Sequence, residues 1–223
     1  MKLSSLLNLC VVGATLSSAQ AITVLMNFGS GPSSASGSGG INNFNAIEAD
    51  NTSSLPLNAE DGSTTGITIT APGFAASAAV TTGPNAVAGD AAAAGFNLSL
   101  VSSTGLAIDG DFTFQGLVPG TEYTFTIFGS RNSAGAGDNR ITDYTLDGQT
   151  QNLAVTDNTS DVTTFVVTPT TSSLVLNFRA AIGSTNDNGY INAARIDYTP
   201  IPEPSSLLLV AGAGLLGFTR RRR

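Results

Sequence analysis

Apolar and polar positions alternate with a period of two along much of this 223-residue chain. The alternation is cleanest where Tyr123, Phe125 and Ile127 fall on one face and Thr124 and Thr126 on the other, as a half-buried antiparallel strand requires. Similar runs rich in Thr, Val, Ile and Phe predict strands over Ile22–Phe28, Ile41–Ile47, Ile67–Thr70, Asp111–Val118, Glu122–Gly129, Ile141–Leu146, Gln149–Val155, Val162–Thr168, Leu174–Arg179 and Tyr190–Tyr198. Asp147-Gly148 separates two of them by the two residues that a tight hairpin favours. Pro119-Gly120 marks another turn. Residues 30–40, SGPSSASGSGG, read as a loop, and the Ala-rich stretch 75–95 is ambiguous. Within it Asp90 is placed to cap one helical turn over Ala91–Ala94, closed by Gly95. Short connections without strand–helix alternation predict an all-β fold, an antiparallel β-sandwich, with a closed barrel as the alternative.

Both ends break this period with continuous apolar runs. At the start, Lys2 precedes an apolar centre over Leu6–Leu16, and Ala19-Gln20-Ala21 supplies a small-x-small pattern. This is the composition of a secretory signal peptide, residues 1–21, cut between Ala21 and Ile22. Cys10 lies inside it as an apolar filler. At the other end, Pro202, Glu203 and Pro204 precede an apolar run over Leu207–Phe218 and then Arg220, Arg221, Arg222 and Arg223. Prolines cannot continue a strand ladder, and the run after Pro204 suits a short helix. Ala211, Gly212, Ala213 and Gly214 would let another membrane helix approach closely. The arginines would hold that end on the cytoplasmic side. A helix over 205–219 reaches roughly 22 Å at about 1.5 Å per residue, short of a hydrocarbon core about 30 Å thick. Such a marginal span suits a segment held only until it is processed. The chain thus divides into a signal peptide (1–21), a β-sandwich (22–200) and a tail (201–223).

The order of Pro202-Glu203-Pro204, apolar run and terminal arginines resembles the PEP-CTERM sorting signal of exported proteins in Gram-negative bacteria. The resemblance implies export by the secretion machinery, a cut by signal peptidase, and transient anchoring in the inner membrane. Recognition by an exosortase, a membrane-embedded cysteine protease or transpeptidase, would follow, with the body passed to the cell surface or extracellular matrix. A second resemblance lies in the body. Residues 126–140, TIFGSRNSAGAGDNR, with Tyr144 and the later run Asn188-Gly189-Tyr190-Ile191-Asn192-Ala193, resemble a body that recurs with this signal. The final strand is similar to those of galactose-binding-like or malectin-like jelly rolls. Over roughly residues 112–198 this implies a jelly-roll sandwich of a kind often used for carbohydrate binding, with exopolysaccharide as a partner.

Composition narrows the chemistry. Without its two ends the body has no Cys, His or Lys. Disulfides, Cys/His zinc sites and Ser-His-Asp or Cys-His catalysis are therefore excluded. Its bases are Arg131, Arg140, Arg179 and Arg195, four against fifteen acids, a net charge of −11. That sign disfavours nucleic acid as a partner and suits solubility, with divalent cations as a second use. No catalytic residue, protein metal site or obligatory cofactor is expected, and calcium is the one ion the oxygen-rich loops could take.

Two loops hold the candidate ligand residues: Arg131, Asp138, Asn139 and Arg140 in one, and Asn186, Asp187, Asn188 and Tyr190 in the other. Loops at a sandwich end commonly carry sites, although the same residues also build ion pairs and turns that fix loop shape. Asp157–Asp161 begins like a calcium loop but has Val162 and Thr168 where the glycine and the bidentate acid belong. Asp109 and Asp111 share a strand face as a carboxylate pair would, yet no apolar cleft around them is legible, and solvated turn acids are the simpler reading. The body has no Trp to stack on a sugar, and Tyr123, Tyr144, Tyr190 and Tyr198 are expected to be built into strands. The body reads as non-enzymatic, with a carbohydrate-binding module as the alternative and a glycan-active enzyme a remote third.

Overall fold

The structure, a computed structural model, describes residues 19–29, 44–48, 53–70, 75–78, 98–102, 110–131, 133 and 135–201. Residues 1–18 of the signal peptide, the 30–40 loop, the Ala91–Ala94 turn, Asp109, and the tail from Pro202 to Arg223 lie outside them. Among the described residues no helix is long and apolar enough to cross a membrane. Ala21–Pro200 forms one compact unit.

That unit is all-β. Its strands are β1 (Ile22–Gly29), β2 (Phe44–Glu48), β3 (Leu55–Asn58), β4 (Thr64–Thr70), β5 (Ala75–Ala78), β6 (Leu98–Ser102) and β7 (Gly110–Gln115). They continue with β8 (Tyr123–Phe128), β9 (Ile141–Leu146), β10 (Gln149–Ala154), β11 (Thr163–Val167), β12 (Ser173–Ala180), β13 (Gly189–Ile191) and β14 (Ala193–Tyr198). One sheet has the order β11-β8-β14-β1-β2 and the other β10-β9-β12-β7-β4-β3, with a small third sheet β13-β6-β5. Two open sheets, and not a closed barrel, enclose the core.

Alternation explains the burial. Tyr123, Phe125 and Ile127 of β8 are buried while Thr124 and Thr126 are half-buried. β11 repeats the pattern with Thr163, Phe165 and Val167 inward. Phe112 lies 4.8 Å from Phe28 and stacks on Phe178 at 5.4 Å, and Phe114 meets Phe125 edge-on at 5.4 Å, so rings of both sheets interdigitate. The Asp147-Gly148 turn has positive φ at both residues (50° and 75°), the backbone that a two-residue hairpin between twisted strands needs.

Four differences from the expected pattern stand out. The final predicted strand is two, because Asn192 is turned out of line. Its backbone N–H donates to the Phe128 carbonyl and its carbonyl accepts from Phe28 N–H, both at 2.9 Å, while its Oδ1 accepts from Ser130 N–H at 2.7 Å. β7 stops at Gln115, and the predicted continuation to Val118 is a turn whose Val118 N–H donates to the Tyr123 hydroxyl at 2.9 Å. β3 was not expected, since Pro56 sits in a run of only four residues; as an edge strand it tolerates the missing donor. Finally, β1 and β2 pair in parallel, an exception in an otherwise antiparallel pattern among the described pairs.

Side-chain amides close both open edges of the sandwich. On one side Asn45 of β2 donates to the Leu25 and Asn58 carbonyls, both at 2.9 Å, and accepts from Asn58 N–H at 2.9 Å. On the other side Gln151 of β10 donates to the Thr164 carbonyl of β11 at 2.7 Å and accepts from the Thr163 hydroxyl at 2.6 Å. These amides occupy ladder groups that an edge strand would otherwise offer to another chain.

Candidate functional sites at the two ends of the sandwich

The sheet register defines two ends. Tyr123 of β8 and Ile22 of β1 both pair with Tyr198, while Phe128 and Asn27 both pair with Ala193. Over the six residues of β8, these ends are about 17 Å apart at about 3.4 Å per residue. The chain enters at Ile22 and leaves after Tyr198 at the same end, which is the tail end. The loops after β8 and before β13 lie at the other.

At the loop end the two predicted loops meet. Thr185 N–H donates to the Asn139 carbonyl at 2.7 Å, and the Thr185 hydroxyl donates to Asp138 Oδ1 at 2.8 Å. Arg140 Nε donates to the Asp138 carboxylate at 2.9 Å, and its Nη1 donates to the Tyr190 hydroxyl at 2.9 Å. Asn186 Nδ2 donates to that same hydroxyl at 2.7 Å. The guanidinium also lies 5.5 Å from the Tyr190 ring centroid, within cation–π range. Burial, the largest influence on Arg140, opposes its charge, but the hydrogen bond and charge of Asp138 together with Tyr190 outweigh it and raise the pKa. Below this layer the Tyr144 hydroxyl donates to the Tyr190 carbonyl, and burial pushes the Tyr144 pKa up. Gly129 is required beside it, since a Cβ there would overlap the Tyr144 hydroxyl and approach the Tyr190 carbonyl oxygen to 2.6 Å.

Four of the eight candidate residues, Asp138, Arg140, Asn186 and Tyr190, are thus joined in one self-satisfied network. Tyr190 is fully buried, and its ring is not presented flat for a sugar. The other four lie at the rim: Asn139 and Asp187 are exposed, Arg131 and Asn188 half-buried. Arg131 is held through its backbone, with N–H to the Val155 carbonyl at 2.7 Å and its own carbonyl accepting from Asp157 N–H at 2.8 Å. Its Nε is buried without a hydrogen-bond partner. Among the described residues no group of three or more His, Cys, Asp and Glu side chains is placed to hold a metal ion. The Asp157–Asp161 turn, which sequence reading set aside as a calcium loop, is held inward by Asn158. Its Nδ2 donates to the Gly129 carbonyl at 2.9 Å and its Oδ1 accepts from Asp161 N–H at 2.8 Å. Asp111 accepts from Asn177 Nδ2 at 2.8 Å across the β7–β12 ladder, as a surface strand residue does. Sequence reading missed Thr185 and Thr142, whose hydroxyl accepts from Tyr190 N–H at 3.0 Å, because isolated Thr carries no periodic signal.

At the tail end the aromatic pair Tyr123–Tyr198, 4.9 Å between centroids, closes the core. Burial raises the pKa of both. Ala21 is exposed, Ile22 starts β1, and Ala19 is half-buried.

Residues 200–223 match the PEP-CTERM protein-sorting motif, the mark of an exported, exosortase-sorted protein. The body is similar in fold to the ANX2 ectodomain from Arabidopsis thaliana (10% identity, TM-score 0.52, covering 83% of this chain and 54% of that one). It is also similar to a chain in a complex of the plant peptide RALF23 with FER and LLG2 (12% identity, TM-score 0.54, 82% and 50%). The ANX1 ectodomain from Arabidopsis thaliana gives 11% identity and a TM-score of 0.50, with 82% and 52% covered. The chain spans about half the length of these structures. At such identities the likeness shows the fold alone, in line with the expected resemblance to malectin-like sandwiches. A comparison with curated proteins finds no match.

Proposed function

We propose that this chain is a non-enzymatic protein of the bacterial surface or extracellular matrix, exported behind residues 1–21 and sorted by an exosortase through its tail. The sorting motif at 200–223 carries the reading. The tail holds the body briefly at the inner membrane, with Arg220–Arg223 on the cytoplasmic side. The exosortase then removes it near Pro202-Glu203-Pro204 and releases a stable sandwich. The body's chemistry supports a structural role, since Arg140, Asp138 and Tyr190 satisfy one another and hold no proton-transfer group poised for a substrate. Replacing Glu203 by Ala, or Pro202 and Pro204 together, in a host with an exosortase is expected to leave uncut precursor in the membrane. Processing of these variants at the normal rate would contradict the sorting assignment.

A second reading, a carbohydrate-binding module that takes calcium as an aid, draws on one observation. The rim residues Arg131, Asn139, Asp187 and Asn188 are exposed or half-buried on the loops after β8 and before β13, where a partner could reach them. Glycan-array binding by the purified body in calcium and in chelator tests it, and silence in both removes it.

A further inference from the structure

Buried polar side chains in folded proteins find hydrogen-bond partners, so each exception asks for a reason. Among the described residues two such exceptions are consecutive, Ser130 Oγ and Arg131 Nε, just after β8. Ser130 is sealed from solvent and neutral. Arg131 is half-buried and charged, so part of its guanidinium faces water while its Nε does not. Arg140 pairs with Asp138 and Arg195 with Asp197, whereas Arg131 is in no ion pair among the described residues. Asp157 is bonded to Arg131 through the backbone, yet its Oδ1 accepts from Ser133 N–H at 2.8 Å instead.

The backbone fixes where this guanidinium starts from. Arg131 and Thr156 form a parallel bridge. On the far side of the same segment Val155 N–H donates to the Arg140 carbonyl at 2.8 Å, and Thr156 Oγ1 accepts from Arg140 N–H at 2.7 Å. Three chains therefore lie side by side, with the Arg131 and Arg140 backbones about 10 Å apart at about 4.8 Å per neighbour. Asp138 neutralises Arg140. Arg131 is left as the cation of this strip without an acid.

A guanidinium is a planar fork that matches the two oxygens of a carboxylate. Half-burial screens such a pair less than open water does. The body's net charge of −11 repels a ligand with many anionic groups, which favours one isolated carboxylate. Asn139, Asp187 and Asn188 on the same two loops offer amides and an acid, groups that bond hydroxyls and do not form an apolar pocket for a peptide side chain. Resting on the carbohydrate-binding reading above, we propose that Arg131 receives the carboxylate of an isolated uronic acid residue in an otherwise neutral glycan. The sugar acid sets the orientation at Arg131, and neighbouring hydroxyls meet the amides of the rim.

The test uses the exported protein purified from its host and titrated with two probes. One is a neutral hexose oligosaccharide carrying a single glucuronate, and the other is the same molecule with that carboxyl reduced to an alcohol. The acid is expected to bind about tenfold or more tightly than the alcohol, and to shift the Arg131 Nε–H resonance. Arg131→Gln should abolish that preference, and Arg131→Lys, which keeps the charge without the fork, should retain only part of it. Arg179→Gln removes an exposed arginine on β12 and should leave the preference intact. Equal binding of acid and alcohol would overturn the Arg131 assignment while leaving the carbohydrate reading in place. So would an unchanged preference in both Arg131 variants, an equal response to sodium acetate alone, or preference for an acidic peptide over the sugar acid. Silence towards every glycan would instead remove the carbohydrate reading, and this assignment with it.

Discussion

The sandwich holds two pairs of an arginine and an aspartate two residues apart, one in the loop before β9 and one on β14, and the two pairs do different work. At the loop end Arg140 and Asp138 have side chains only 10% and 9% exposed, and Tyr190, Asn186 and Thr185 complete their hydrogen bonds. Towards the tail end Arg195 and Asp197 are joined at 2.6 and 2.8 Å but are 35% and 32% exposed on the outer face of β14, with Thr23 as the added partner. The hydrogen bond to Asp197 is the main cause raising the Arg195 pKa, whereas Arg140 must first overcome its own burial. Identical residue types at similar spacing therefore form a framework strut in one place and a surface clasp in the other. Burial and the third partner decide which.

The largest way to stress this contrast is alkaline pH. The folded pKa values of Tyr144, Tyr123 and Tyr198 lie above their unfolded values, because burial disfavours the phenolate. Their contribution to stability is complete below about pH 10 and is lost as pH rises further, at about 1.4 kcal/mol per pH unit for each fully shifted group. Urea midpoints measured from pH 9 to 12 should be flat at first and then fall steeply, together with tyrosinate absorbance. A flat midpoint throughout would mean that these hydroxyls are not buried as described.

Next comes Arg140→Ala, which leaves Asp138 buried beside a lost cation and is expected to cost about 3 kcal/mol. Tyr190→Phe removes only the shared hydroxyl, stranding donors on Arg140 and Asn186, at about 2 kcal/mol. Arg195→Ala should cost less than about 1 kcal/mol, since its pair is screened by solvent. Chemical denaturation of the four proteins side by side checks the ranking. Equal losses for the two arginine variants would erase the distinction between strut and clasp.

Much of the second half of the body was legible in the chain. The Tyr123–Phe128 alternation, the Asp147-Gly148 hairpin and the strands through β12 are all local signals, set by period two and by turn geometry. The tail was legible because three short signals occur in a fixed order at one end. The break at Asn192 was not, since it depends on Ser130, 62 residues away, and neither the Pro-containing edge strand β3 nor the parallel β1–β2 pair carries a local period-two or hairpin-turn signal. The candidate site followed the same division. Charged loop residues drew notice, and the hydrogen bonds of Thr185 and Tyr190 join the two loops that carry them. Their neutralisation by Tyr190 could not be seen beforehand, because a tyrosine in an alternating run reads as core whether or not its hydroxyl reaches a polar network.

Intact-mass measurement on the protein isolated from its native envelope tests the central claim, that the chain is exported cargo trimmed at both ends. The account predicts one species beginning at Ile22 and lacking Arg220–Arg223, with Tyr198 retained. A cytosolic species that still carries both Met1 and Arg223 would contradict it.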